Sequence, residues 1–347
     1  MATTASSAGS NRGVVAELTL AKSGQSTPLT AISLSNDQRL AVVGGHGIMK
    51  AIRLAPEGLS EVATLTTTGR RKITGSAGSK LSMYDVAFRP SGGHVAASLS
   101  NGGVAVWDLQ HLSSASSWAG QGQGQHGQPK EETGSIIGTH DRSVNRLCWN
   151  PFDDHMVLSG SQARQADGYM KIWDLRCTKA IATFNSYGAV RDVQFSPLQE
   201  FHFAAVFDDG KLQIWDYKFP HQPKMRIASH TKSAFSVEWH PAIPWRLATT
   251  SGKVVEIWDV EPHVVDWYQQ QQQQAQQLQA PVMEQTLQST STVRLAGMVS
   301  RTKWRPGHDN QLATAQVPSR LGDTDFAIVV HDVTDTAIPH FALWGRR

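Results

Sequence analysis

The chain has 347 residues, 32 of them basic and 29 acidic, and a formal net charge of +3 makes no electrostatic case for nucleic acid or an anionic membrane surface. Its two cysteines, Cys148 and Cys177, exclude a disulfide scaffold and a four-cysteine zinc site, and no run of 18 apolar residues is present to span a bilayer as a helix. Charged residues make up only 18% of the sequence, few for long solvated helix faces, while eleven tryptophans outnumber five tyrosines.

Residues 1–11 are rich in Ala, Ser and Thr and read as a disordered tail rather than a secretion signal, because they carry no charge and no long apolar core. From Val14 to Leu20 apolar residues fall on alternate positions, which predicts a separate strand before the first repeat. Beyond it the chain repeats itself. One recurring slot is a Trp-Asp pair closing an apolar run, at Trp107-Asp108, Trp173-Asp174, Trp215-Asp216 and Trp258-Asp259, with His331-Asp332 as a fifth copy. A second slot is an aromatic two residues before proline, at Phe88, Trp149, Phe195, Trp239 and Trp304. Seven of the eleven tryptophans occupy these two slots.

The spacing from Trp173 to Trp215 and on to Trp258 is slightly over 40 residues, the length of one four-stranded propeller blade. Two intervals are longer, and each contains a low-complexity insertion: a Ser/Gly/Gln-rich stretch at about 112–137, and the glutamine tract with its flanks at about 262–291. Six blades are predicted, at about 31–54, 81–110, 140–176, 187–217, 230–260 and 292–333. Residues 341–344 read as the first strand of a seventh blade whose remainder is absent. The expected fold is therefore all-β, a β-propeller over residues 12–347 that is truncated or completed by another chain.

The pattern resembles the WD-repeat family, which ties each blade together with a buried His, Ser/Thr, Asp and Trp. In the third repeat the matching residues are His140, Ser159, Asp167 and Trp173. Asp209 and Trp215 repeat the six-residue offset, and Trp107 and Trp258 occupy the same tryptophan slot. Departures are Ser186 in the histidine position of the fourth repeat, Gly252 and Asn101 in the aspartate positions of the fifth and second, and a first repeat without Trp-Asp. Those blades are expected to depend more on apolar packing.

Segments such as 143–149, 189–196 and 303–306 resemble one WD-repeat family in particular, the WD-repeat subunit of the SEA complex, called GATOR in animals and named in fungi for restriction of telomere capping. The resemblance implies a non-catalytic scaffold in a multi-subunit complex that acts on amino-acid signalling to the target-of-rapamycin kinase. It places the chain in the cytoplasm at the vacuolar or lysosomal surface, with peripheral membrane association through the complex. The alternative within the fold is another WD-repeat adaptor, a ubiquitin-ligase substrate receptor or a cargo receptor.

No catalytic, cofactor-binding or metal-ligating residues are predicted, and no cofactor. Residues 122–127 spell G-x-G-x-x-G, but Ser/Gly/Gln sequence precedes them and Gln-Pro-Lys comes after, where a dinucleotide site needs a strand and a helix. Propellers bind proteins through loops at the rim of one face. On the repeat spacing, the exposed positions there are Arg142, Tyr187 and Lys232, then Arg191 and Phe235 beside Asn145, and Asp208 before the turn aspartate. Aromatic and arginine residues are the ones that interfaces favour as anchors.

Overall fold

A computed structural model describes residues 29–56, 58–68, 81–113, 130–162, 169–177, 179–185, 188–260, 270, 287–317, 325–335 and 339–346. The chain divides into two compact units, Met1–Thr139 and His140–Arg347. In the first unit, strands β1 (Leu29–Leu34), β2 (Leu40–Gly45), β3 (Ile48–Ala55) and β4 (Gly58–Thr68) form one antiparallel blade. Strands β5 (Met83–Phe88), β6 (His94–Leu99), β7 (Gly103–Asp108) and β8 (Lys130–Thr139) form the second, with the short helix α1 (Gln110–Ser113) after β7. The outermost strands of the two blades pair in parallel, Ala63 opposite Lys130 through Thr68 opposite Ser135, so the unit is one eight-stranded sheet.

The second unit holds four separate four-stranded sheets. The third blade is β9 (Val144–Trp149), β10 (Met156–Ser161), β11 (Tyr169–Asp174) and β12 (Ala180–Asn185). The fourth is β13 (Val190–Phe195), β14 (His202–Phe207), β15 (Leu212–Asp216) and β16 (Met225–Ile227). The fifth is β17 (Ser236–Trp239), β18 (Arg246–Ser251), β19 (Val254–Asp259) and β20 (Ser291–Arg294), and the sixth is β21 (Met298–Trp304), β22 (Gln311–Val317), β23 (Asp325–Asp332) and β24 (Pro339–Arg346).

The sequence boundaries find three strands of every blade and miss the fourth. The last strand does not begin a seventh blade, as the repeat count suggested. It pairs antiparallel with β23 from Asp325–Arg346 to His331–Pro339 and completes the sixth sheet. The tract read as an insertion through residue 137 gives up Lys130–Ile137 to β8, and the one read through 291 ends at Leu287, which packs on the core of the fifth blade, and at Ser291, which opens β20. These outer strands are half-exposed, so they carry neither the slot residues nor a clean apolar alternation. The expected strand at Val14–Leu20 lies outside the described residues, as do 114–129 and 271–286.

Within each unit, adjacent blades bury apolar residues between their facing sides. Between the third and fourth blades, Phe184 meets Phe203 edge-on at 4.9 Å and Trp215 at 5.3 Å, while Phe203 stacks on Trp215. Trp107, Trp173, Trp215 and Trp258 are all buried, and an aromatic of this size contributes on the order of 2–3 kcal/mol through burial. The second-slot tryptophans join neighbouring blades: the Trp239 indole donates to the Gln194 carbonyl at 3.2 Å and the Trp304 indole to the Glu238 carbonyl at 3.3 Å.

First strands share a further device. A bulge falls at Thr30, Tyr84, Asn145, Arg191 and Ser300, the same repeat position each time. A bulge turns its side chain out of the sheet alternation. Two of these side chains then reach the next blade, Thr30 bonding the Met83 carbonyl and Asn145 the Val190 carbonyl at 2.8 Å.

In the first unit Trp107 lies across Gly134 of β8, and its indole donates to the Thr66 carbonyl at 2.8 Å. A Cβ at residue 134 would stand 2.4 Å from the indole ring. Gly134→Ala is therefore expected to lower stability by about 2–3 kcal/mol through overpacking, measured as a shift in the urea unfolding free energy.

Candidate functional site

The repeat position two residues before the slot tryptophan or histidine faces a small residue on the second strand of each blade. That partner is Ser159 in the third blade, Thr249 in the fifth and Thr314 in the sixth, but Ala97 in the second and Ala205 in the fourth. Where a hydroxyl is present a polar stitch forms. Trp173 Nε1 donates to Ser159 Oγ at 2.7 Å, and His140 Nε2 stands 2.7 Å from the same oxygen. The fifth blade repeats this, with Trp258 Nε1 donating to Thr249 Oγ1 at 2.8 Å and His230 Nε2 at 2.9 Å. In the sixth, His331 takes the tryptophan's place 3.3 Å from Thr314 Oγ1.

Alanine removes the acceptor, and the indole goes elsewhere. Trp215 donates to Gln213 Oε1 at 3.1 Å inside the aromatic cluster, and Trp107 to a backbone carbonyl of β4. Asp209 meets no histidine; it is exposed and accepts the Lys211 amide in a tight turn. Asp167 lies outside the described residues. In the fifth blade, where Gly252 occupies the aspartate position, Glu256 of β19 is the carboxylate beside the histidine, its Oε2 3.3 Å from His230 Nδ1 but not hydrogen-bonded to it. Sequence spacing missed this because the residue lies on a strand and not in the turn.

Burial pushes the His140 imidazole down to about 3, with Lys171 adding to the effect, and the His230 imidazole down to about 4. Both stay neutral in the folded chain, with Nε2 free to accept from the hydroxyl.

A second polar layer lies on the first strands of the second unit. Asp192 is buried, and its carboxylate accepts the backbone N–H groups of Val193 at 3.0 Å and Val237 at 3.1 Å. Arg146 approaches it to 3.7 Å from the third blade and Arg301 to 3.3 Å from the sixth. Repeat spacing puts Ser236 at the equivalent position of the fifth blade, and its small side chain leaves room for Arg301 to reach past it. One layer on, Glu238 pairs with Lys303 at 2.7 Å and accepts from Gln194 Nε2 at 3.0 Å. Burial pushes the Glu238 carboxyl up while Lys303 draws it back.

The rim positions named from the repeat spacing are spread over several blades. Arg142 and Lys232 are exposed in equivalent loops two residues after His140 and His230. Arg191 is the bulged residue of β13, and Phe235 is equivalent by repeat spacing; both are half-buried. Asp208 is committed to the fold: its carboxylate accepts the Ala189 amide at 2.9 Å and its carbonyl the Ser233 hydroxyl at 2.7 Å. Tyr187 lies outside the described residues. Lys232 and Phe235 also line a groove on the fifth blade, shared with Met298 of the sixth, that spacing alone did not reveal. Among the described residues no cluster of His, Cys, Asp or Glu is placed to hold a metal ion, and no helix is long and apolar enough to cross a membrane.

Asp192→Asn leaves two guanidinium groups facing each other without their carboxylate and is expected to cost about 3–5 kcal/mol. Adding Arg301→Gln should recover part of that loss, read in a double-mutant cycle of urea unfolding. The unfolded chain protonates its histidines near 6.5, whereas folded His140 holds out to about 3. Below pH 6.5 the unfolded state binds more protons, so stability falls as pH drops toward 4, by up to about 1.4 kcal/mol per pH unit for this residue. Urea midpoints from pH 4 to 7.5 should show a shallower slope for His140→Gln than for the parent chain.

Comparison with known proteins agrees with the blade geometry. The model of the WD domain, G-beta repeat, matches residues 131–174 and 178–216. The human GATOR2 complex protein WDR24 is 30% identical over 315 residues, covering 90% of this chain and 33% of that protein, and the Danio rerio protein of the same name is equally similar. Restriction of telomere capping protein 1 from Lachancea thermotolerans is 30% identical over 131 residues, covering 32% of this chain and 10% of that one. A chain in the crystal structure of the mitotic checkpoint complex superposes with a TM-score of 0.61 at 17% identity, covering 91% of this chain and 80% of that chain, which shows the fold alone. The chain thus spans about a third of the length of the WDR24 proteins it matches. It is a WD40-repeat chain with the WD-repeat propeller fold, homologous to the GATOR2 complex protein WDR24 and to restriction of telomere capping protein 1.

Proposed function

We propose that this chain is a non-catalytic protein–protein interaction scaffold, a subunit of a SEA/GATOR-type complex. In this reading it acts in amino-acid signalling to the target-of-rapamycin kinase, from the cytoplasm at the vacuolar or lysosomal surface. The observation that carries the reading is the alignment over 90% of the chain with a protein named for the GATOR2 complex. The geometry supports it in a second way. The polar clusters are committed to holding blades together, as in Trp173–Ser159–His140 and Arg146–Asp192–Arg301, which leaves them no part in chemistry on a substrate. The bulged and loop positions, by contrast, are set on rigid strands.

Partner contact is assigned to Arg142, Arg191, Lys232 and Phe235 on the rim together with Asp208, and on repeat spacing alone to Tyr187. Arg191 Nε is buried without a hydrogen-bond partner among the described residues, which suits a group that acquires its acceptor on binding. Affinity purification of the tagged full chain with mass spectrometry is the test. Subunits of a SEA/GATOR complex are expected, and their recovery should drop at least tenfold for Arg191→Ala/Phe235→Ala at an unchanged melting temperature. Recovery of cullin adaptors or peroxisomal cargo in their place overturns the assignment.

A further inference from the structure

A groove of about 840 Å³ opens on the fifth blade, between the connector that leads into it (228–235) and the β18–β19 turn, with Met298 of the sixth blade beside it, a volume in the range of roughly 300–1,000 Å³ typical of ligand-holding clefts. Phe235, Val254 and Met298 supply apolar walls, Met298 being 44% exposed. Lys232 and Lys253 are exposed at its rim, one from each side. Glu256 is the one carboxylate among the lining residues, and its Oε2 is buried 3.3 Å from His230 Nδ1, away from an incoming ligand. The groove therefore offers an apolar slot flanked by two cations.

Both lips are fixed by backbone bonds. On one side the His230 amide donates to the Gly210 carbonyl at 2.9 Å, the Ser229 hydroxyl to the same carbonyl at 2.8 Å, and the Ser233 hydroxyl to the Asp208 carbonyl at 2.7 Å. Gly210 has φ +82°, and a Cβ there would stand 2.3 Å from the His230 carbonyl oxygen and 2.4 Å from that of Lys232, so only glycine lets the lip close down on the turn. On the other side the Leu295 amide donates to the Lys253 carbonyl and the Val299 amide to the Gly252 carbonyl, each at 2.8 Å. A site held this rigidly loses little entropy when it is filled.

We infer that this groove binds a short acidic peptide segment of a partner protein, one large apolar side chain lying between Phe235 and Met298 and flanking carboxylates meeting Lys232 and Lys253. The charge arrangement selects this occupant. A basic peptide would meet the two lysines without a free carboxylate to offset them, and a purely apolar one would leave both ammonium groups unanswered. The inference rests on the protein-scaffold reading and not on the identity of the complex, and it deepens that reading by stating what the partner must present.

The test uses the full chain and fluorescence anisotropy with three labelled peptides: Asp-Glu-Phe-Asp-Glu, the same peptide with Gly for Phe, and Lys-Lys-Phe-Lys-Lys. The first should bind at least tenfold more tightly than either of the others, and its affinity should fall as salt is raised from about 50 to 500 mM. Lys232→Glu/Lys253→Glu should weaken it at least tenfold, and Met298→Glu at least fivefold, with unchanged melting temperatures. Lys179→Glu/Lys218→Glu, which alters net charge equally at exposed positions outside the groove, should leave affinity within twofold. Equal binding of the three peptides, no measurable binding of the first, or equal weakening by both charge reversals overturns the inference. Because the probe is a synthetic peptide, the result is independent of which subunits co-purify with the chain.

Discussion

A four-stranded blade that is apolar on both faces cannot stand in water on either side, and the rest of this structure depends on covering those faces. The stitch within a blade and the bonds between blades serve the same end: they give the buried indoles an acceptor at the junctions. Ser159 shows how little is needed. One hydroxyl answers the Trp173 indole and His140 together, and an unanswered donor in that position would cost more than the bond contributes.

The variation among blades shows that the constraint is satisfaction and not a fixed residue set. With Ala205 in place of the hydroxyl, Trp215 finds Gln213 and a nest of phenylalanines. With Gly252 in place of the turn aspartate, the nearest carboxylate to His230 is Glu256 on the adjoining strand, close at 3.3 Å but not hydrogen-bonded. Each blade keeps its slot tryptophan or histidine buried by whichever partner the local sequence allows. This is why a repeat can lose its signature dipeptide, as the first blade has, and still form four strands.

What could be read from the sequence tracks what is fully buried. Trp173, Trp215, Trp258 and the aromatic-x-Pro slots mark the three inner strands of each blade, because only a large side chain at a fixed spacing fills those junctions. The fourth strands were hidden for the opposite reason. β8 opens Lys130-Glu131-Glu132-Thr133, residues that suit a solvated edge and carry no period, and β24 reads like the start of something new because Phe341 and Leu343 are exposed. The charge belt through Asp192 was beyond a one-dimensional reading, since Arg301 lies 109 positions away and is brought near only by the succession of three blades, the fourth to the sixth. At the rim, spacing located Lys232 and Phe235 but not the groove they share with Lys253 and Met298, which come from later in the chain.

The parallel pairing of β4 with β8 gives the first unit a property the second lacks. In the second unit each sheet ends at its own outer strand, so one blade's outer amides can open to solvent without disturbing those of the next. In the first unit the outer strands hydrogen-bond to each other along six residue pairs, so over Ala63–Thr68 and Lys130–Ser135 the facing edges are closed. Amide exchange in β4 and β8 is then governed by a single opening event shared by two blades, and an eight-stranded sheet behaves as one cooperative element beside four smaller ones. Closed in this way, that margin of the protein is also shut to any extended segment that would add itself as a ninth strand between them.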